Sequence, residues 1–283
     1  MSSYAWVTDI HLDWLRGEHE IVRFGESIAR TGADGVFITG DISNAGSLVY
    51  HLSVIERAIA RPTYFVLGNH DFYRADVESV RAKMRELSNV SSYLRYMPTV
   101  QYTPLNQKTA VVGHDGWYDA LYGDWKKGTF MMPDWTQIGD FANGVKSSPG
   151  SAVYTPEIVD VNKQKIVEKS RELAHTGVMH VHNAIKAAVR YHKSIVVLTH
   201  FPPWQEAHVF RGQPGDLSTT PWYTSKMMGD MLCDAAKAFP NVNFTVLAGH
   251  THGKVDYQVA PNMICHIGGA EYGSPVVQGL FNL

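Results

Sequence analysis

Short apolar runs alternate along the chain with longer stretches whose apolar residues recur at helical spacing. YAWVT (4–8), GVFIT (35–39), TYFVL (63–67), TAVVG (109–113) and IVVLT (195–199) read as strands. Between the first of these, residues 18–31 carry Ile21, Val22, Phe24, Ile28 and Ala29, and 46–60 carry Leu48, Leu52, Ile55 and Ile59, each set on one helical face. Thr31-Gly32 and Pro62 supply the stops, and 74–88 reads as a charged amphipathic helix. Strands alternating with helices predict an α/β architecture.

The pattern then changes. Residues 114–156 have no clear period and are rich in Gly, Asp, Pro and aromatics. A stretch of that length reads as a lid-like insert in a single domain spanning 1–283, and its aromatics argue against disorder. Residues 157–192 predict one long helix with a potential break at Thr176-Gly177. An aromatic loop (201–222) and a helix (225–238) follow. FTVLA (244–248), KVDYQVA (254–260), MICHIG (263–268) and VVQGLFNL (276–283) lie close together and predict antiparallel hairpins.

Composition narrows this picture. The 283 residues are 45% hydrophobic with a formal net charge of -2, so no basic field points to nucleic acid, and no dedicated nucleic-acid-binding module is evident. The N-terminus has no signal-peptide pattern, and no apolar run approaches the roughly 18–20 residues that cross a bilayer. Two cysteines, Cys233 and Cys265, without a CxxC pair, suit reduced thiols and a cytoplasmic location.

The chemistry sits where apolar runs end. WVTDIH, VFITGD, FVLGNHD, VVLTH and VLAGHTH each run from a strand pattern into metal-type donors: Asp9, His11, Asp41, Asn69, His200, His250 and His252. In open α/β sheets, ligands gather at the carboxyl ends of strands. Each residue alone has an ordinary reading, Asp9 as a helix cap or Asn69 as a turn residue. Mixed N/O donors without thiolate suit Mn, Fe, Zn or Ni. Seven donors exceed the needs of one catalytic ion, so they predict two divalent ions with a carboxylate between them. Asp9 and His11, like His250 and His252, are two apart and share a side in extended chain. Gly40, Gly68 and Gly249 precede donors and leave room for the chain to turn beside an ion.

Asp9-x-His11, Gly40-Asp41, Gly68-Asn69-His70-Asp71, His200 and Gly249-His250-Thr251-His252, in this order across 9–252, resemble the calcineurin-like metallophosphoesterases. The resemblance implies two facing mixed β-sheets flanked by helices, a four-layer α/β/β/α sandwich. It implies Asp9, His11 and His252 on one metal, Asn69, His200 and His250 on the other, and Asp41 bridging. It implies a phosphoester substrate, and water activated for in-line attack on phosphorus. His70 would protonate the leaving oxygen or stabilise its charge, and Asp71 would orient His70 or cap the following turn. The segment after Gly40-Asp41 lacks the extended GDxVDRG motif, which speaks against phosphoprotein substrates. GHTH with an aromatic lid points to phosphodiesters or small nucleotides. A phosphomonoesterase, a nuclease of the same superfamily and a non-enzymatic scaffold are the alternatives. His114 and Trp117, at the start of the insert, are candidate substrate contacts; Lys126, Lys127 and Arg211 are candidate phosphate contacts.

Overall fold

The computed structural model describes residues 2–127, 129–147, 158–210 and 212–283. Arg211 and residues 148–156 of the expected insert lie outside them. The chain begins β1 (Ser3–Val7), α1 (Glu18–Ala29), β2 (Gly35–Thr39), α2 (Leu48–Ile59), β3 (Thr63–Val66), α3 (Val77–Val90), β4 (Leu94–Tyr96), β5 (Thr103–Pro104) and β6 (Thr109–Gly113). It continues with α4 (Asp134–Gln137), β7 (Val145–Ser147), β8 (Ile158–Val161), α5 (Lys163–Ala188), β9 (Ser194–Leu198), β10 (Val209–Phe210) and β11 (Gln213–Pro214). It closes with α6 (Thr220–Tyr223), α7 (Lys226–Ala238), β12 (Asn243–Ala248), β13 (Val255–Ala260), β14 (Met263–Ile267) and β15 (Gly279–Asn282).

Two mixed sheets form the centre, with strand orders β15-β1-β2-β3-β4 and β13-β14-β12-β9-β6-β5. Alternate residues of each strand explain the layering. Tyr4, Trp6, Phe37 and Tyr64 of the first sheet meet Val111, Val196, Leu198 and Leu247 of the second in one buried cluster. The intervening Ala5, Val7, Val36 and Ile38 pack instead on Ile21, Ile28, Leu52 and Ile55 of α1 and α2. On the far side, Ala110, Val112, Val197 and Val246 pack on Val181, Ile185 and Leu232 of α5 and α7. The result is the expected sandwich of helices, sheet, sheet and helices.

Two expectations need correction. The C-terminal strands are not successive hairpins. Only β13–β14 is antiparallel there; β12 runs parallel to both β9 and β14. β15 crosses to the other sheet and pairs antiparallel with β1. Nor does α5 break at Gly177, for the helix is continuous over 26 residues. A Cβ at 177 would lie 2.9 Å from His114 Nδ1 and 3.1 Å from Gly116 Cα, so this glycine serves close approach. The described part of 114–156 is mixed, with Leu121 and Met131 exposed and an aromatic group buried beneath. Trp117, Tyr118, Trp135 and Phe141 are fully buried and join the first sheet's helix-side core.

Candidate metal centre

Because β1, β2 and β3 run parallel in one sheet and β9 and β12 in the other, the residues that follow them emerge at one edge. Loop-to-loop hydrogen bonds fix the register: Asp9 N–H donates to Gly40 O (3.0 Å), His11 N–H to Asp41 O (3.0 Å) and Gly249 N–H to His200 O (2.9 Å). Two donor groups result. Asp9, His11, Asp41 and His252 offer atoms within 4.8 Å of one another, and so do Asp41, His200 and His250. Asp41 belongs to both. Its Oδ2 lies 3.9 Å from His11 Nε2 and its Oδ1 3.4 Å from His200 Nε2. Asn69 joins the second group, with Oδ1 3.2 Å from His200 Nε2.

The hydrogen bonds behind the rings decide which nitrogens face inward. His200 Nδ1 lies 2.8 Å from Thr39 O, so it donates there and leaves the Nε2 lone pair toward Asp41 and Asn69. His250 makes the opposite choice: Nε2 donates to Trp222 O (3.3 Å), freeing Nδ1. Asn69 donates Nδ2–H to Asp134 Oδ1 (2.9 Å), which turns its amide oxygen inward. Tyr73 donates its hydroxyl to the same Asp134 oxygen at 2.9 Å.

The backbone is strained at this edge. Asp9, His11, Asp41, His250 and His252 all have positive φ, between 38° and 70°. Non-glycine residues rarely adopt this region, and such strain concentrates at functional sites.

The electrostatics suit cations. Burial raises the Asp41 carboxyl well above the usual range, and the neighbouring Asp9 charge adds to it. For Asp9 burial acts in the same direction, but the His252 hydrogen bond and the surrounding imidazoles win and hold it low. Burial keeps His11 and His250 neutral, with nearby imidazoles assisting. Neutral imidazoles at His11 and His250 are the state that ligation requires, and a cation beside Asp41 would offset the cost of ionising its buried carboxyl. The donor set therefore fits a dinuclear centre of two divalent ions.

His70 faces the open side, with Nε2 4.0 Å from Asp41 Oδ2. Its ring lies 4.3 Å from that of Tyr73 and 4.8 Å from that of His11. Burial, with His200 next, lowers it to about 3. Asp71 does not orient the His70 ring. It is fully buried, and its oxygens accept the backbone N–H groups of Ile42, Ser43 and Gly68 at 2.8–2.9 Å. It thus pins two of the donor loops together.

His114 and Trp117 do not reach the centre's open face. His114 is buried against Gly116 and His180. Trp117 packs on Phe72, Phe141 and Phe201, and Phe201 in turn lies 4.5 Å from the His250 ring. Trp117 thus lies behind the donors through Phe201, and both His114 and Trp117 are buried away from the open face. Asp134, Tyr73 and Tyr272 were not singled out in the sequence. Asp134 lies in the aperiodic stretch, and no local pattern ties it to Asn69.

Facing mixed sheets whose strand ends present Asp/His donors in two groups with a shared carboxylate define a dinuclear metallohydrolase. The sequence matches the calcineurin-like phosphoesterase family over residues 3–254, and the chain belongs to that family. It is a hydrolase acting on phosphoester bonds, in a family that uses two divalent metal ions. Among solved structures it is similar to the phosphopantetheinyl hydrolase of Mycobacterium tuberculosis. The TM-score is 0.65 at 12% identity, over 96% of this chain and 90% of that one. A dimetal phosphatase from Danio rerio gives 0.54 at 11% identity, covering 95% and 87%. The protein TT1561 of Thermus thermophilus gives 0.51 at 12% identity, covering 95% and 89%. These likenesses carry the fold. No curated protein matches the sequence. Among the described residues no helix is long and apolar enough to cross a membrane.

Proposed function

We propose that the chain hydrolyses phosphodiesters or small-nucleotide phosphoesters, with Asp9, His11 and His252 holding one ion, Asn69, His200 and His250 the other, and Asp41 both. The observation that carries this reading is Asp41, whose two oxygens face different imidazoles. Mn, Fe, Zn and Ni all suit the donors. The two ions, when bound, supply Lewis acidity toward the phosphoryl oxygens and lower the pKa of water. Asp71 and Asp134 keep the donors aimed. His70 supplies an N–H toward the leaving oxygen, stabilising the charge that develops there; its neutral state makes this the better of the two roles expected for it.

The diester preference is supported by open space on both sides of the centre. One cavity of about 420 Å³ reaches His70, and another of about 490 Å³ reaches His252 and Lys254. A phosphodiester carries an organic group on each side of phosphorus. Two free thiols support the cytoplasm as the compartment we propose.

The test is hydrolysis of bis-(p-nitrophenyl) phosphate against p-nitrophenyl phosphate by the Mn²⁺-loaded protein. The diester should be preferred, Asp41→Asn should abolish turnover, and His70→Ala should lower it roughly 10²–10³-fold with metal content intact. A monoester preference would redirect the assignment to phosphatase substrates. Unchanged turnover in His70→Ala would remove its role.

A further inference from the structure

Of the seven tryptophans only Trp14 is largely exposed, at 58%. It lies in the short 3₁₀ turn directly after His11, held by its backbone N–H to His11 O (2.9 Å). Tyr272 arrives from the loop between β14 and β15, more than 250 residues later, and is itself 44% exposed. The two rings lie 4.6 Å apart. Tyr272 also packs against the rings of His11 (4.4 Å), His252 (5.2 Å) and His70 (6.1 Å). An aromatic pair assembled from both ends of the chain thus stands at the rim of the metal centre.

Packing alone does not explain this pair. Core formation would favour burying an indole, as it does for Trp117, Trp135 and Trp222. Trp14 instead lines the cavity of about 420 Å³ that Asp13, His70, Tyr73, Arg74 and Gln137 also line. That volume lies in the usual range for small-ligand pockets. Trp and Tyr are also the residues that most often carry binding energy, and a planar ring stacks on them with little regard to its substituents.

We propose that Trp14, with Tyr272 behind it, is a stacking platform for the organic group leaving from the His70 side, and that this group is planar and aromatic, a nucleoside or an aryl alcohol. The proposal rests on the reading above, in which phosphorus sits at the dinuclear centre and His70 faces the leaving oxygen. It deepens that reading by naming the substrate class. Glycerol-like and other purely alkyl phosphoesters would fill the same cavity without using the indole.

Two non-hydrolysable probes separate the platform from the metals. Phenylphosphonate and methylphosphonate offer the same head group and differ in the ring. Titration calorimetry on the Mn²⁺-loaded protein should show phenylphosphonate binding about tenfold more tightly, equivalent to ~1.4 kcal/mol. Only phenylphosphonate should quench tryptophan emission. In Trp14→Ala the affinity ratio should fall to within about twofold, and Trp14→Phe should restore most of it, since base–aromatic stacking is tolerant of ring type. Equal affinities in the wild-type protein, or a ratio that survives Trp14→Ala, would overturn the platform. Failure of the hydrolysis reading looks different: both phosphonates bind with their ratio intact while neither p-nitrophenyl ester is cleaved.

Discussion

At the scale of single residues, the centre depends on groups whose chemistry is set by what lies behind them. His200 and His250 present opposite nitrogens because one donates to Thr39 O and the other to Trp222 O. Asn69 presents its oxygen because Asp134 holds its amide N–H. Asp134→Ala should therefore weaken the second ion by roughly 10–100-fold, the usual cost of losing a partner that orients a ligand. Metal analysis after dialysis should find fewer ions per chain than in the wild-type protein, and a full complement would show that Asn69 needs no such partner. A second residue makes stability depend on pH. Burial lowers the His208 imidazole from 6.5 to about 4, against a weaker pull from Asp216. Between those values the unfolded chain binds the proton and the folded chain does not. The stabilisation is complete above about pH 6.5 and is lost as the pH falls toward 4. His208→Phe should keep the stacking on Tyr223 and give a shallower fall in urea midpoint across this window. Equal slopes would mean that His208 takes up its proton as readily when folded.

At the scale of elements, each strand contributes position and each loop contributes chemistry. β1, β2, β3, β9 and β12 were legible as strands because their runs of apolar residues stop at Asp, Asn or His, although β12 was expected in an antiparallel hairpin and runs parallel. The role of the glycines was legible only in part. Gly40, with φ +93°, turns the chain as expected. Gly68 and Gly249 act by size. A Cβ at Gly249 would lie 2.0 Å from Asp9 Oδ2 and 2.2 Å from Thr8 Oγ1, and one at Gly68 would lie 2.2 Å from Asp41 Oδ1. Gly249→Ala should leave helix content by circular dichroism near wild type, yet push Asp9 aside and sharply reduce metal retention. Normal retention would show that Asp9 can shift without losing its place.

At the scale of the whole molecule, the last strand closes the first sheet. β15 pairs with β1 through Ser3–Asn282 to Trp6–Gly279. Deleting residues 279–283 should uncover the edge of β1, lower the thermal midpoint and promote aggregation, as bare strand edges do. An unchanged midpoint and a monodisperse profile would show that β1 needs no cover. The α/β order, the helix-facing apolar stripes and the seven donors could be read from the chain because each depends on local period or on residue type at a run's end. Tertiary structure alone decided that β15 belongs to the first sheet, that Gly177 permits contact with Gly116, that Trp117 and His114 are interior, and that Asp134 and Tyr272 reach the centre. These depend on which distant segments meet, and a side chain's local spacing carries no information about its partner across the fold.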